Sequence, residues 1–72
     1  MILRITKHAQ DRMCAMAVNK EMIKEAIKRG AKFKQTEGYL VKYTYFAVAL
    51  KIIGKDGDRT IYKIKTVTPS EK

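Results

Sequence analysis

Apolar positions along the chain change period once, near residue 30. Ahead of that point they recur at helical spacing, and beyond it they alternate. Ala9, Met13, Met16 and Ala17 fall at i, i+4, i+7 and i+8, which predicts one buried stripe on a first helix. Thr6 stands where an N-cap would accept the first free amides. "VNK" then interrupts the rhythm. Asn19 is the expected N-cap of a second helix, with Val18 and Ile23 at the N′ and N4 positions of a hydrophobic staple. This helix carries Met22, Ile23, Ala26 and Ile27 on one side and Glu21, Lys24, Glu25 and Lys28 on the other. Glu21–Lys24 and Glu25–Arg29 are spaced to pair along the surface, each worth about 0.2–0.5 kcal/mol. "KRG" closes the segment, with Gly30 at the expected C′ position. The leading "MILRI" reads equally as a short strand or an apolar lead-in.

Residues 31–68 follow a strand rhythm, and Val, Ile, Thr, Tyr and Phe dominate 39–67. "TEGY" predicts a tight turn between strands near 32–36 and 39–44. "GKDGDR" predicts a second hairpin with Asp56–Gly57 at its tip. Phe46, Val48, Leu50 and Ile52 alternate on one face. Tyr62, Ile64, Thr66 and Thr68 do the same in the last strand, with Lys63 and Lys65 opposite. The run 39–53 exceeds the usual strand of about 5–6 residues, so a turn is expected near Tyr43–Tyr45. The tail "PSEK" is expected to fray. The chain, 1–72, is thus expected to form one α+β domain, with two N-terminal helices packed on a three- to four-stranded antiparallel sheet.

Charge changes the picture more than composition does. Sixteen Lys and Arg face seven Asp and Glu, for a formal net charge of +9. Such an excess bears on partners and not on fold. Nucleic acid comes first, because each neutralised phosphate releases a condensed counterion. An anionic membrane surface comes second. An acidic protein partner is third, and is compatible with the first. Cys14 is the single cysteine, so no intrachain disulfide can form, and one Cys with one His leaves a zinc site short of ligands. No metal and no cofactor is expected, and a reducing cytoplasmic location fits the cysteine usage. The apolar run at the N-terminus is too short for a signal peptide, and nothing approaches transmembrane length.

Candidate chemistry centres on His8 and Arg12, one helical turn apart on the flank of the Ala9–Met13–Met16 stripe. Arginine there could hold a phosphate through two parallel bonds, and histidine could move protons near neutral pH. A structural reading stands beside this: His8 idle in the first turn, Arg12 paired with a carboxylate or lying over the core. Lys51, Lys63 and Lys65 are candidates for contacts to a polynucleotide backbone, and Tyr62 or Thr66 for positioning substrate. The alternative is that the lysines only solvate an open face while the tyrosines pack. "KDGD" lacks the further carboxylates that a Ca²⁺ or Mg²⁺ loop needs, so it reads as turn chemistry. The seven acids are scattered, which speaks against a two-metal nuclease. Cleavage of RNA without metal would need a proton acceptor, a proton donor and cations for the developing charge.

The run "ITKHAQDRM", followed by "AVNKEMIKEAIKRG" and "IYKIKTVT", resembles a family of small prokaryotic proteins of unknown function. Their hallmark is a His-Ala-x-x-Arg-Met helix, a second helix and an antiparallel sheet. That family is similar to the RelE-type toxins of the barnase–colicin–RelE group of metal-independent ribonucleases. The likeness spans nearly the whole chain, and "HAQDRM" is its sharpest part. It implies a RelE-like fold, with His8 and Arg12 at the family's helix positions and Thr66 or Thr68 at the polar position of the last strand. It also implies a toxin-like mRNA endonuclease of a toxin–antitoxin pair, acting on RNA such as ribosome-associated mRNA and held in check by an acidic antitoxin. On that expectation His8 transfers protons, Arg12 holds the scissile phosphate, and Thr66 completes the catalytic set. A non-catalytic RNA- or DNA-binding module and a plain protein-interaction domain remain as alternatives.

Overall fold

The computed structural model describes residues 1–70. Seven elements follow one another: β1 (Ile2–Ile5), α1 (Lys7–Met16), α2 (Lys20–Arg29), β2 (Ala31–Gln35), β3 (Gly38–Tyr43), β4 (Phe46–Asp56) and β5 (Arg59–Pro69). The α+β class and the two helices agree with the sequence pattern. The sheet has five strands, ordered β1-β5-β4-β3-β2, where three or four were expected. The added strand is "ILRI", which pairs in parallel with Ile61–Ile64 of β5. Parallel pairing requires a long crossover, and the two helices together with the antiparallel strands β2–β4 supply it.

The predicted caps form. The Thr6 hydroxyl accepts from the Ala9 amide at 3.1 Å, and Asn19 Oδ1 accepts from the Met22 amide at 2.9 Å. Val18 and Ile23 are both buried in the core, as a staple requires. Lys24 pairs with Glu21 at 3.7 Å and Arg29 with Glu25 at 3.1 Å. Two local expectations are corrected. Ala17 is exposed and lies outside the apolar stripe, because it ends α1 in the left-handed region with φ 57°. Gly30 is not left-handed, its φ being −73°. Glycine is required there by closeness: a Cβ would lie 2.6 Å from the Ala26 carbonyl oxygen and 2.7 Å from that of Lys42.

The turn expected near Tyr43–Tyr45 is present. Tyr43 pairs with Phe46, leaving Thr44 and Tyr45 as a two-residue loop. Thr44 takes φ 51°, an uncommon conformation for a β-branched residue. The Tyr45 hydroxyl donates to the Met16 carbonyl at 3.0 Å and so ties this loop to the end of α1. Ala17→Gly and Thr44→Gly are each expected to raise stability by about 0.5–1 kcal/mol, since they relieve a positive φ at a modest entropic cost. Urea unfolding checks this, and a lowered midpoint in both variants would contradict it.

The core lies between the helices and one face of the sheet. Ala9, Met13, Ile23, Ala26 and Ile27 meet Val41, Phe46, Val48, Leu50, Ile64 and Val67 there. Two bulges decide which side chains share that face. Ala49 pairs with Thr66 but Leu50 pairs with Ile64, so Lys65 is an extra residue in β5. Tyr62 and Ile64 therefore face the helices, whereas Thr66 and Thr68 face away with Lys63, and the single alternation expected for this strand is corrected. Ile53 is likewise the extra residue of β4, between the Ile52–Tyr62 and Gly54–Ile61 pairs. The tail expected to fray is described in part: Pro69 ends β5, the Ser70 amide donates to the Tyr45 carbonyl at 3.0 Å, and 71–72 lie outside the described residues. No helix among the described residues is long and apolar enough to cross a membrane.

Candidate nucleic-acid interface

The sheet face turned away from the helices is uncovered. Register places Arg4 of β1 beside Lys63 of β5, and Lys63 directly opposite Lys51 of β4. All three are exposed. Neighbouring strands lie about 4.8 Å apart, so three cations stand in a row across the strands. Like charges directly opposed in a sheet destabilise it. Among the described residues, both ion pairs lie on α2, and no carboxylate pairs with this row. Beside it runs a second row of Thr66, Ala49, Leu40 and Phe33, then a third of Thr68, Ala47, Lys42 and Ala31. The Lys42 ammonium sits 5.4 Å from the centre of the Phe33 ring, which is 49% exposed.

Shallow hollows open at both ends of the cation row. One, of about 250 Å³, is lined by Arg4, Ile5, Thr6, Ile53 and Lys63. The other, of about 390 Å³, includes Lys51 and the β2–β3 turn. Lys65 reaches that same turn, its ammonium donating to the Glu37 carbonyl at 2.7 Å. The bulge places Lys65 where it can do so, and its ammonium keeps two further N–H donors for an anion.

The residues predicted from sequence divide between different places. Lys51 and Lys63 stand together, and Lys65 is tied to Glu37. Tyr62 lies on the helix-facing side, opposite Lys63 as the alternation predicts, and packs against the core, so it does not join Lys51 and Lys63 on the open face as a residue positioning substrate beside them would. Thr66 faces the open side, two residues from the buried Ile64. Arg12 is partly buried, and its Nε donates to the Val67 carbonyl at 3.2 Å. The cause is a strand that ends early. β1 stops opposite Ile64, so the outer edge of β5 beyond it has no strand partner. Thr6 covers the Ile64 and Lys65 carbonyls at 3.1 and 3.2 Å through its hydroxyl, and Arg12 covers Val67. The pairing of Arg12 with a carboxylate is therefore replaced by a bond to backbone, next to Thr66 in the strand. His8 is exposed in the first turn of α1, and no hydrogen bond joins its imidazole to a described residue.

Arg4 and Phe33 complete the open face and were not singled out from sequence. The signal for Arg4 was present in "ILRI": an arginine amid apolar neighbours marks the outward position of an edge strand. Among the described residues no three His, Cys, Asp or Glu side chains are grouped as metal ligands would be. No family model matches this chain, and neither a curated protein nor a solved structure matches it.

Proposed function

We propose that this protein binds RNA along the open face of its sheet. The observation that carries the reading is the Arg4–Lys63–Lys51 row, three cations in consecutive register with no ion pair to a carboxylate among the described residues. Such an arrangement costs folding energy, and a polyanion laid across it would return that cost by releasing counterions. Thr66 and Thr68 add hydroxyls that can bond phosphate or ribose, and the exposed Phe33 ring offers a surface for an unpaired base. RNA is preferred to DNA on the strength of the resemblance to RelE-type ribonucleases. A fluorescently labelled single-stranded RNA, titrated over a range of salt, tests the proposal. Three contacts predict a log–log slope of about −2 for the association constant. Binding that ignores salt, or no binding at low salt, would overturn it.

A second reading adds metal-independent cleavage. It draws on Arg12 lying beside the strand that carries Thr66, with only its Nε engaged, and on His8 one turn away and open to solvent. In that step His8 takes the proton of the ribose 2′-hydroxyl, whose oxygen attacks the adjacent phosphorus. Arg12 stabilises the charge on the phosphoryl oxygens, the 5′-oxygen leaves with a proton from solvent or a second donor, and a 2′,3′-cyclic phosphate remains. RNA incubated with the protein and a chelator is then cut by wild type and spared by His8→Ala. Intact RNA with excess wild-type protein removes the cleavage step and leaves the binding proposal standing.

A further inference from the structure

The helix-facing side of the sheet is not fully covered either. β4 and β5 run on past the end of α2 and leave an apolar groove of about 220 Å³. Ile27, Val41 and Leu50 line it together with Tyr39 and Tyr62, and Ile52, 46% exposed, forms its outer lip. Among the described residues, Lys32 is the one charged residue of the lining. Lys34 shares its side of β2, because Lys32 pairs with Val41 and Lys34 with Tyr39, both helix-facing. Lys28 follows Ile27 in the last turn of α2, where Arg29 is already paired with Glu25. The groove is thus apolar within and cationic at its rim, and it lies on the side opposite the Arg4–Lys63–Lys51 row.

We infer that this groove docks an acidic, amphipathic segment of a partner protein, whose apolar side chains enter between Ile52 and Ile27 and whose carboxylates meet Lys32 and Lys34. Charge complementarity selects this occupant. A second copy of the chain would bring the wrong charge: its exposed large apolar residues, among those described, are Phe33, flanked by Lys32 and Lys34, the Ile52–Ile53 pair following Lys51, and Tyr45. The first two of these would set lysine against lysine at the rim. A polynucleotide would leave the apolar interior unfilled, and its phosphates find a closer array of cations on the other face.

Ile52 and Ile53 provide a matched control. Both are 46% exposed, so either can change without opening the core. Successive strand residues point to different faces: Ile52 lines the apolar groove and reaches the hollow at the β2–β3 turn, and Ile53 lines the hollow with Arg4 and Lys63. The probe is a labelled helical peptide of about 20 residues built from Leu and Glu, titrated into wild type, Ile52→Lys and Ile53→Lys. Both variants add one positive charge, which by itself favours an acidic ligand. Loss of a buried isoleucine contact predicts affinity about tenfold weaker or worse for Ile52→Lys, and a change within about twofold for Ile53→Lys. Lys32→Glu combined with Lys34→Glu is expected to weaken binding as well, and a Leu/Lys peptide of equal length to bind far less. Absence of saturable binding, equal losses from both isoleucine variants, or equal binding of the Leu/Lys peptide would overturn the inference. So would sedimentation showing a dimer of this chain that Ile52→Lys dissociates.

Discussion

Gly38→Ala is expected to cost about 3 kcal/mol or more. Gly38 opens β3 with φ 134°, a conformation that L side chains rarely adopt. Its Cβ would also run into the Leu50 carbonyl oxygen of the neighbouring strand. Rotating the backbone away would relieve one fault and worsen the other, since the ladder from Tyr39–Leu50 to Tyr43–Phe46 fixes β3 against β4. The strand cannot shift without drawing Val41 out of the core. At about 0.05–0.15 kcal/mol per residue, the whole 72-residue chain has about 4–11 kcal/mol to lose. Urea unfolding at 25 °C measures the effect. A variant within about 1 kcal/mol of wild type would show that the two strands do not approach as closely as described. Gly57, at the tip of the β4–β5 hairpin, also has a positive φ, 65°, but nothing lies within 4 Å of its missing Cβ. Gly57→Ala is accordingly the milder variant.

Lys63→Glu is expected to make the fold more stable and the protein a poorer binder of RNA. In the wild type Lys63 faces Lys51 on one side and Arg4 on the other. A carboxylate at that position turns two repulsive neighbours into attractive ones, a gain of about 0.5–1 kcal/mol for exposed cross-strand pairs. The same change puts a negative charge in the middle of the proposed phosphate track. Association with RNA near 0.1 M salt is expected to fall by about tenfold or more, and the salt slope to become shallower. Lys28→Glu on α2 carries the same change in net charge away from the open face, and is expected to weaken binding much less. Opposite signs for stability and binding in one variant would mark a row of cations kept for use and not for folding. If Lys63→Glu and Lys28→Glu weaken binding equally, net charge alone is responsible and the row has no special part.

The helical half of the molecule was legible because its signals are local. Thr6 and Asn19 cap within three residues of themselves, and the ion pairs of α2 span three and four residues. The turn at Thr44–Tyr45 was found by exclusion, as the run was too long for one strand. What stayed open or escaped was set by distant partners. "ILRI" becomes a strand only because β5 offers it an edge, some sixty residues on in the chain. The Lys65 bulge follows from no local motif, yet it moves Thr66 and Thr68 to the opposite face from Tyr62 and so decides which residues of the last strand share a site. Arg12 was legible as a residue at the boundary of core and solvent. Its partner was not, because a backbone carbonyl left bare by a strand that stops early carries no sequence mark.

Backbone amide shifts recorded while a short single-stranded RNA is added to the ¹⁵N-labelled protein test the central claim most directly. The account predicts the largest changes at Arg4, Leu40, Ala49, Lys51, Lys63 and Thr66, with α2 little affected. Changes confined to α2 and the Ile27–Ile52 groove, with the Arg4–Lys63–Lys51 row silent, would contradict it.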